Sequence, residues 1–233
     1  MLFRQLFDPA SSTYSYLIAD PDSRQAVLVD SVLEQVDRDY RLIQELNLTL
    51  VACLETHVHA DHVTGAGRLR ELTGCQGIVP IGAEVACADR WLADGEVLWV
   101  GAVPIRAIAT PGHTDSHLAY QVNDTHLLTG DSLLIRGCGR TDFQSGNPEQ
   151  LYQVITEVLF ALPEFTWVYP GHDYRGFTVS TIGEEKRCNP RFVGRDRAGF
   201  VALMQTLGLP SPQKMAEAVP ANQQCGQINS AAN

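Results

Sequence analysis

Short apolar runs separated by turn-forming residues set the rhythm of this chain. Residues 2–7 and 13–18 read as strands split by Asp8-Pro9-Ala10-Ser11-Ser12, and 26–30 reads as a third. Over 33–46 the period lengthens, and Val36, Tyr40, Ile43 and Leu46 fall on one face of a helix. The run 48–54 is too apolar for a half-exposed face and reads as a buried strand. A helix is expected over 64–72, with Thr64 as its N-cap and Gly74 ending it. A short strand at 78–79, a short helix at 83–88 and strands at 97–100 and 105–109 follow. Residues 118–122 and 126–128 predict a hairpin about Asn123-Asp124. Pro148 suits the first position of a helix reaching about residue 161. A strand enters Trp167-Val168-Tyr169-Pro170, then helices are expected near 182–187, stopped by Asn189-Pro190, and over 197–207, ended by Gly208. From Ser211 the pattern fades, and 228–233 reads as a flexible tail. Trp91, Trp99 and Trp167 lie in apolar contexts and are expected in the core.

With 233 residues, 45% hydrophobic and 19% charged, the chain suits one sizeable globular domain, taken as 1–227. A net charge of −10 argues against nucleic acid or an anionic membrane as partner. No run is long and apolar enough for a membrane span. Cys53, Cys75, Cys87, Cys138, Cys188 and Cys225 are scattered without a C-x-x-C pair, which suggests free thiols in a reducing cytoplasm. Cys138, between two glycines, reads as a small buried residue rather than a reactive thiol.

The chemistry gathers where strands end. Thr56-His57-Val58-His59-Ala60-Asp61-His62 follows the buried run 48–54 and holds three histidines and an aspartate within six positions. Imidazole nitrogens and carboxylate oxygens are ligands for zinc, iron or manganese. Thr110-Pro111-Gly112-His113, Thr129-Gly130-Asp131 and Pro170-Gly171-His172 repeat the arrangement at three further strand ends. A random scatter of His and Asp would not favour strand ends. His117 reads as a polar residue near the cavity and His126 as a surface residue; Asp30, ending the third strand, could support the metal loop or serve a helix N-terminus. His57, His59, Asp61, His62, His113, Asp131 and His172 suffice for two metals bridged by Asp131. His57, His113 and Asp131 alone would make a two-His-one-carboxylate face for one iron. Counting ligands does not choose, because the smaller set lies within the larger.

The H-x-H-x-D-H pattern after a buried strand resembles the metallo-β-lactamase superfamily. Gly137-Cys138-Gly139 with a following basic residue is similar to glyoxalase II, a dinuclear glutathione-thioester hydrolase. The longer run from Asp131 through Arg136-Gly137-Cys138-Gly139-Arg140-Thr141-Asp142-Phe143-Gln144 resembles the persulfide dioxygenase family instead. So do His172-Asp173-Tyr174-Arg175-Gly176-Phe177, Asn189-Pro190-Arg191 and Val219-Pro220-Ala221-Asn222, so that the likeness spans roughly 1 to 227, with His117 a departure. This resemblance implies an α+β metallo-β-lactamase fold, a four-layer αββα sandwich, and a homodimer. It implies one Fe(II) per chain on His57, His113 and Asp131, with His59, Asp61, His62 and His172 orienting ligands or handling protons. The implied reaction turns glutathione persulfide, O₂ and water into sulfite and glutathione. Arg140 would then pair with a glutathione carboxylate, and Tyr174 would donate a hydrogen bond to the tripeptide.

Overall fold

A computed structural model describes residues 1–210 and 214–227; the expected tail, 228–233, lies outside them. The chain divides into two compact units. The first comprises, of the described residues, 1–92, 98–104 and 214–227; the second comprises 93–97 and 105–210.

One mixed six-stranded sheet is built by β1 (Leu2–Asp8), β2 (Thr13–Ala19), β3 (Gln25–Val29), β4 (Thr49–Leu54), β5 (Gln76–Pro80) and β6 (Arg90–Leu92), in that spatial order. The first three strands are antiparallel, and β3 to β6 run parallel. Helices α1 (Val36–Glu45) and α2 (Ala66–Thr73) supply the crossovers, and a 3₁₀ turn, Leu33–Gln35, precedes α1. The apolar spacing expected of α1 is realised: Val36 and Ile43 pack with Leu17, Leu28, Leu50 and Leu69 in the core of this unit. Tyr14, Tyr16 and Ile18 alternate with other residues as for a strand with two unlike faces, but both faces of β2 are buried.

A second mixed sheet has the order β12-β11-β10-β9-β8-β7. Its strands are β7 (Val97–Val100), β8 (Val103–Ala109), β9 (Leu118–Val122), β10 (His126–Gly130), β11 (Trp167–Pro170) and β12 (Ser180–Thr181). Asn123 and Asp124, at φ 48° and 56°, turn β9 into β10 as expected of that pair. α3 (Pro148–Gln153) is capped by the Asn147 side chain and continues through π-helical and 3₁₀ turns to Ala161. α4 (Ile182–Cys188) and α5 (Arg197–Gln205) complete the unit, whose core joins Leu127, Leu151, Ile155, Leu159, Val168, Ile182 and Phe200. Two mixed sheets with flanking helices in this strand order make the metallo-β-lactamase fold.

Several expectations fail for physical reasons. Trp91, Trp99 and Trp167 are 42%, 63% and 45% exposed, because β6 and β7 are sheet edges and β11, paired with β10 on one side, has only the two-residue β12 on the other. Residues 83–88 form turns rather than a helix. Six residues nucleate a helix poorly, and here Val85, Ala83 and Cys87 are claimed by packing with Val79 and Cys225. Gly65, not Thr64, caps α2. The Thr64 hydroxyl instead donates to Glu55 at 2.6 Å while accepting from the Ala66 N–H. Beyond Ser211, where no pattern was legible, Met215–Asn222 forms a helix, α6. The cysteines are not all free thiols: Cys87 and Cys225 form a disulfide, while Cys53, Cys75, Cys138 and Cys188 remain thiols.

Candidate metal centre

In the first unit the site grows from the ends of β3 and β4. Asp30 follows β3 in the left-handed conformation, φ 51°, and turns its carboxylate onto the next strand's end. Oδ1 accepts the Thr56 N–H at 2.7 Å and Oδ2 accepts the Thr56 hydroxyl at 2.9 Å. With its proton committed to Asp30, Thr56 Oγ1 accepts from His57 Nδ1 at 2.9 Å. That relay fixes the tautomer of His57 and leaves the lone pair on Nε2. Asp30 is thus a support of the metal loop.

His59 points elsewhere. Its Nε2 lies 3.1 Å from Asp30 and 3.4 Å from Glu55, all three side chains being buried. Burial opposes a charge on His59, but the two carboxylates outweigh it and hold its pKa well above the ordinary histidine range. Burial likewise raises the Glu55 carboxyl. His62 Nδ1 meets Asp61 at 2.9 Å and Thr13 at 3.3 Å. The three imidazoles cluster, with centroids 4.1 Å apart for His57 and His59 and 4.3 Å for His59 and His62. Buried His59 Nδ1 and His62 Nε2 have no hydrogen-bond partner among the described residues. Two sets of this unit, Asp30-Glu55-His59 and His59-Asp61-His62, place their ligand atoms within 4.8 Å of one another.

In the second unit His113 follows β8, Asp131 follows β10 and His172 follows β11. A bulge at Gly130, φ 48°, breaks the β10–β11 register and re-aims Asp131. His113 Nδ1 donates to the Arg140 carbonyl at 2.7 Å, so the lone pair is on Nε2, 3.6 Å from Asp131 Oδ2. Asp131 Oδ1 accepts from His172 Nδ1 at 2.6 Å. His117 is no ligand: its Nε2 accepts the Asp131 backbone N–H at 3.1 Å and its Nδ1 donates to Thr110 at 2.7 Å. Gly139 is required by close approach, since a Cβ there would stand 2.2 Å from the Asp131 carbonyl and 2.8 Å from His113 Nδ1. That contact gives Gly139 its reason, whereas a Cβ at Gly137 would meet only Leu134, at 3.6 Å. Cys138 turns into the core against Met204, and burial pushes its thiol up to about 12.

The two residues expected to bind substrate sit differently. Arg140 grips Asp142 through two nitrogens at 2.7 and 2.8 Å, lies over the Phe143 ring and donates to the Leu209 and Pro210 carbonyls. Tyr174, 73% exposed, stacks on His172 with centroids 6.1 Å apart. His126 is half-buried and stacks on Tyr169. Sequence reading missed Glu55 and Asn222. Asn222 had a signal, its place in the run Val219 to Asn222, but no local chemistry to give it a role.

Both units offer cation donors. Two bonds of about 2 Å from one cation can span the 3.6 Å between His113 Nε2 and Asp131 Oδ2. Imidazole and carboxylate together suit iron or zinc. No helix among the described residues is long and apolar enough to cross a membrane.

Comparison with known proteins follows the same lines. The metallo-β-lactamase superfamily model matches residues 8–172. Persulfide dioxygenase ETHE1, mitochondrial, from Bos taurus is 47% identical over 230 residues, covering 97% of this chain and 89% of that protein. The Homo sapiens protein of the same name matches equally, at 47% and the same coverage. The crystal structure of ETHE1 from Myxococcus xanthus superimposes with a TM-score of 0.95 at 52% identity, covering 97% of this chain and all of that one.

Proposed function

The chain belongs to the persulfide dioxygenase family of the metallo-β-lactamase superfamily, and on that premise we propose that it oxidises glutathione persulfide. O₂ and water are consumed, and sulfite and glutathione are formed. The observation that carries the reading is identity near one half with dioxygenases along almost the whole chain.

One iron per chain is assigned to His57, His113 and Asp131, and residues 1–227 to a single catalytic domain. Supporting it, both histidines have Nδ1 committed to a neighbouring oxygen, which directs Nε2 to the metal. Iron in a two-His-one-carboxylate setting supplies the one-electron chemistry that lets triplet dioxygen react with a sulfur nucleophile. The remaining residues position and bind. His172 holds Asp131 Oδ1, His117 holds the Asp131 backbone, and Asp30 sets His57 through Thr56. His59, Asp61 and His62 form the polar wall beside His57 and serve proton movement rather than iron. Arg140 receives a glutathione carboxylate that competes with Asp142, whose side chain is 56% exposed. Tyr174 donates to the tripeptide from its exposed position. The family's homodimer is the proposed assembly and the cytoplasm the proposed compartment; light scattering should return twice the chain mass.

Anaerobically purified protein should carry about one iron per chain. His57→Ala, His113→Ala and Asp131→Ala should each lose iron and O₂ uptake together, while His62→Ala keeps most of its iron. Two tightly held zinc ions with thioester hydrolysis and no O₂ uptake would overturn the assignment in favour of the glyoxalase II-like alternative.

A further inference from the structure

The loop that carries His57, His59 and His62 is gripped from the C-terminal end of the described chain. Asn222, buried at the end of α6, donates from Nδ2 to the carbonyls of His59 and His62, both at 2.9 Å. Its Oδ1 accepts the Thr64 N–H at 2.8 Å. Ala218 and Ala221 of α6 pack on Val63 and Leu33 beneath the same loop. Three residues after Asn222, Cys225 is bonded to Cys87, 138 residues earlier in sequence. Its carbonyl also accepts the Gly67 N–H at the start of α2, at 3.1 Å. The grip on the metal loop therefore has a covalent anchor.

That anchor opens onto a cleft of about 520 Å³ lined by Leu33, Gly67, Arg68, Arg70, Cys87 and Cys225. Small-molecule sites run to roughly 300–1,000 Å³, so a tripeptide can enter. Arg70 Nη1 lies 3.5 Å from Cys225 Sγ and donates to the Cys87 carbonyl at 2.8 Å. A guanidinium beside one sulfur stabilises the negative charge that sulfur takes when the bond breaks, and a better leaving thiolate exchanges faster. Cys225 is buried, whereas Cys87 is only half-buried. Attack and departure thus have different sulfurs assigned to them.

We propose that the Cys87–Cys225 disulfide is a thiol-exchange site for a small thiol of the glutathione class, and that its reduction loosens the Asn222 clasp on the metal loop. A thiolate attacks Cys87 Sγ, the sulfur–sulfur bond breaks, and the electron pair leaves on Cys225 Sγ beside Arg70; that sulfur then takes a proton from solvent. A second thiolate attacks the mixed disulfide on Cys87, releasing Cys87 as its thiol and the external disulfide. Two external thiols are oxidised and one protein disulfide is reduced, so electrons balance. In a glutathione-containing compartment a disulfide open to thiols reports the local thiol state rather than serving as a permanent staple. Any consequence for turnover rests on the dioxygenase reading, but the exchange and the clasp do not.

The test uses full-length, metal-loaded protein equilibrated in graded mixtures of glutathione and glutathione disulfide. Alkylation with peptide mapping counts the thiols, with exposed Cys188 as a control that alkylates throughout. Cys87 and Cys225 should become alkylatable together in folded protein, and Arg70→Gln should slow that reduction about tenfold. Amide exchange across 57–64 should run about tenfold faster in the reduced form. Asn222→Ala should show the fast exchange in both redox states, and Cys225→Ser should show it whatever the glutathione ratio. Cys87 and Cys225 that react only after unfolding, or equal loop exchange in both wild-type redox states, would overturn the proposal. If either variant fails to fold, the wild-type titration decides alone. These readouts need no turnover, so a wrong substrate assignment leaves them unmoved.

Discussion

Each unit buries a cluster of charged and polar side chains, and the two clusters are finished differently. In the second unit Glu185 is wholly buried, and both its oxygens are taken. Oε1 accepts from Ser180 at 2.6 Å and from the Arg136 guanidinium; Oε2 accepts the Arg136 N–H and Asn189 Nδ2, both at 2.9 Å. Asn189 also donates to the Gly137 carbonyl at 2.9 Å and accepts the Arg191 N–H. In the first unit the cluster of Asp30, Glu55, His59 and His62 leaves His59 Nδ1 and His62 Nε2 buried without a hydrogen-bond partner. A buried polar atom left unpaired costs about 1–3 kcal/mol, so it persists where a ligand or water completes it or where chemistry needs it. The closed cluster is architecture, tying the Asp131–Arg140 loop to α4. The open one leaves two nitrogens that a ligand or water can complete.

The largest break in this comparison comes from the closed cluster. Glu185→Ala removes an acceptor shared by Ser180, Arg136 and Asn189, although Arg136 keeps Glu184 and Asn189 keeps the Leu134 and Gly137 carbonyls. Hydrogen bonds to a charged group are worth about 1.5–3 kcal/mol each, so the loss should reach about 3–5 kcal/mol. Urea unfolding should register that loss, while iron per folded chain stays at the wild-type level. A loss under about 1 kcal/mol would mean that Glu185 holds nothing together.

Arg140 stands between the two cases, since its pair with Asp142 is complete but its partner faces solvent. Such a pair can open to a substrate carboxylate. Arg140→Ala should therefore cost on the order of 1.5–3 kcal/mol, roughly tenfold to a hundredfold in kcat/KM, as a raised KM with kcat little changed. Arg140→Lys should recover part of it, because an ammonium lacks the two-pronged fork. Steady-state O₂ uptake on samples of known iron content is the measurement; wild-type KM at full iron loading would make Arg140 a loop residue and nothing more.

What the sequence made legible were the strands and what they deliver. Apolar runs marked β4, β8, β10 and β11, and His57, His113, Asp131 and His172 lie just past their ends. That logic is local, and so it can be read residue by residue. Glu55, Asn222 and the Cys87–Cys225 pair act across long separations, where nothing in the neighbouring residues announces the partner. Glu55 looks like an ordinary polar residue closing a strand until His59 and Thr64 fold back onto it. The tryptophans misled for the converse reason: an apolar neighbourhood in sequence does not tell an edge strand from a central one.

The smallest effect tests the open cluster, and it concerns His62. Its ring keeps Asp61 and Thr13 as partners on Nδ1, while Nε2 is buried and unpaired. His62→Ala removes those contacts but also the orphaned nitrogen, whose cost of about 1–3 kcal/mol disappears with it. The two should nearly cancel, leaving metal-free protein within about 1 kcal/mol of wild type by urea unfolding. Glu185→Ala, in a cluster of similar burial, should lose several times more. The same comparison on iron-loaded protein should give the same small difference, because iron is assigned to residues other than His62. A loss above about 3 kcal/mol in the metal-free state would mean that the open cluster is architecture after all. A loss that appears only with metal bound would make His62 Nε2 a ligand and bring back the dinuclear hydrolase.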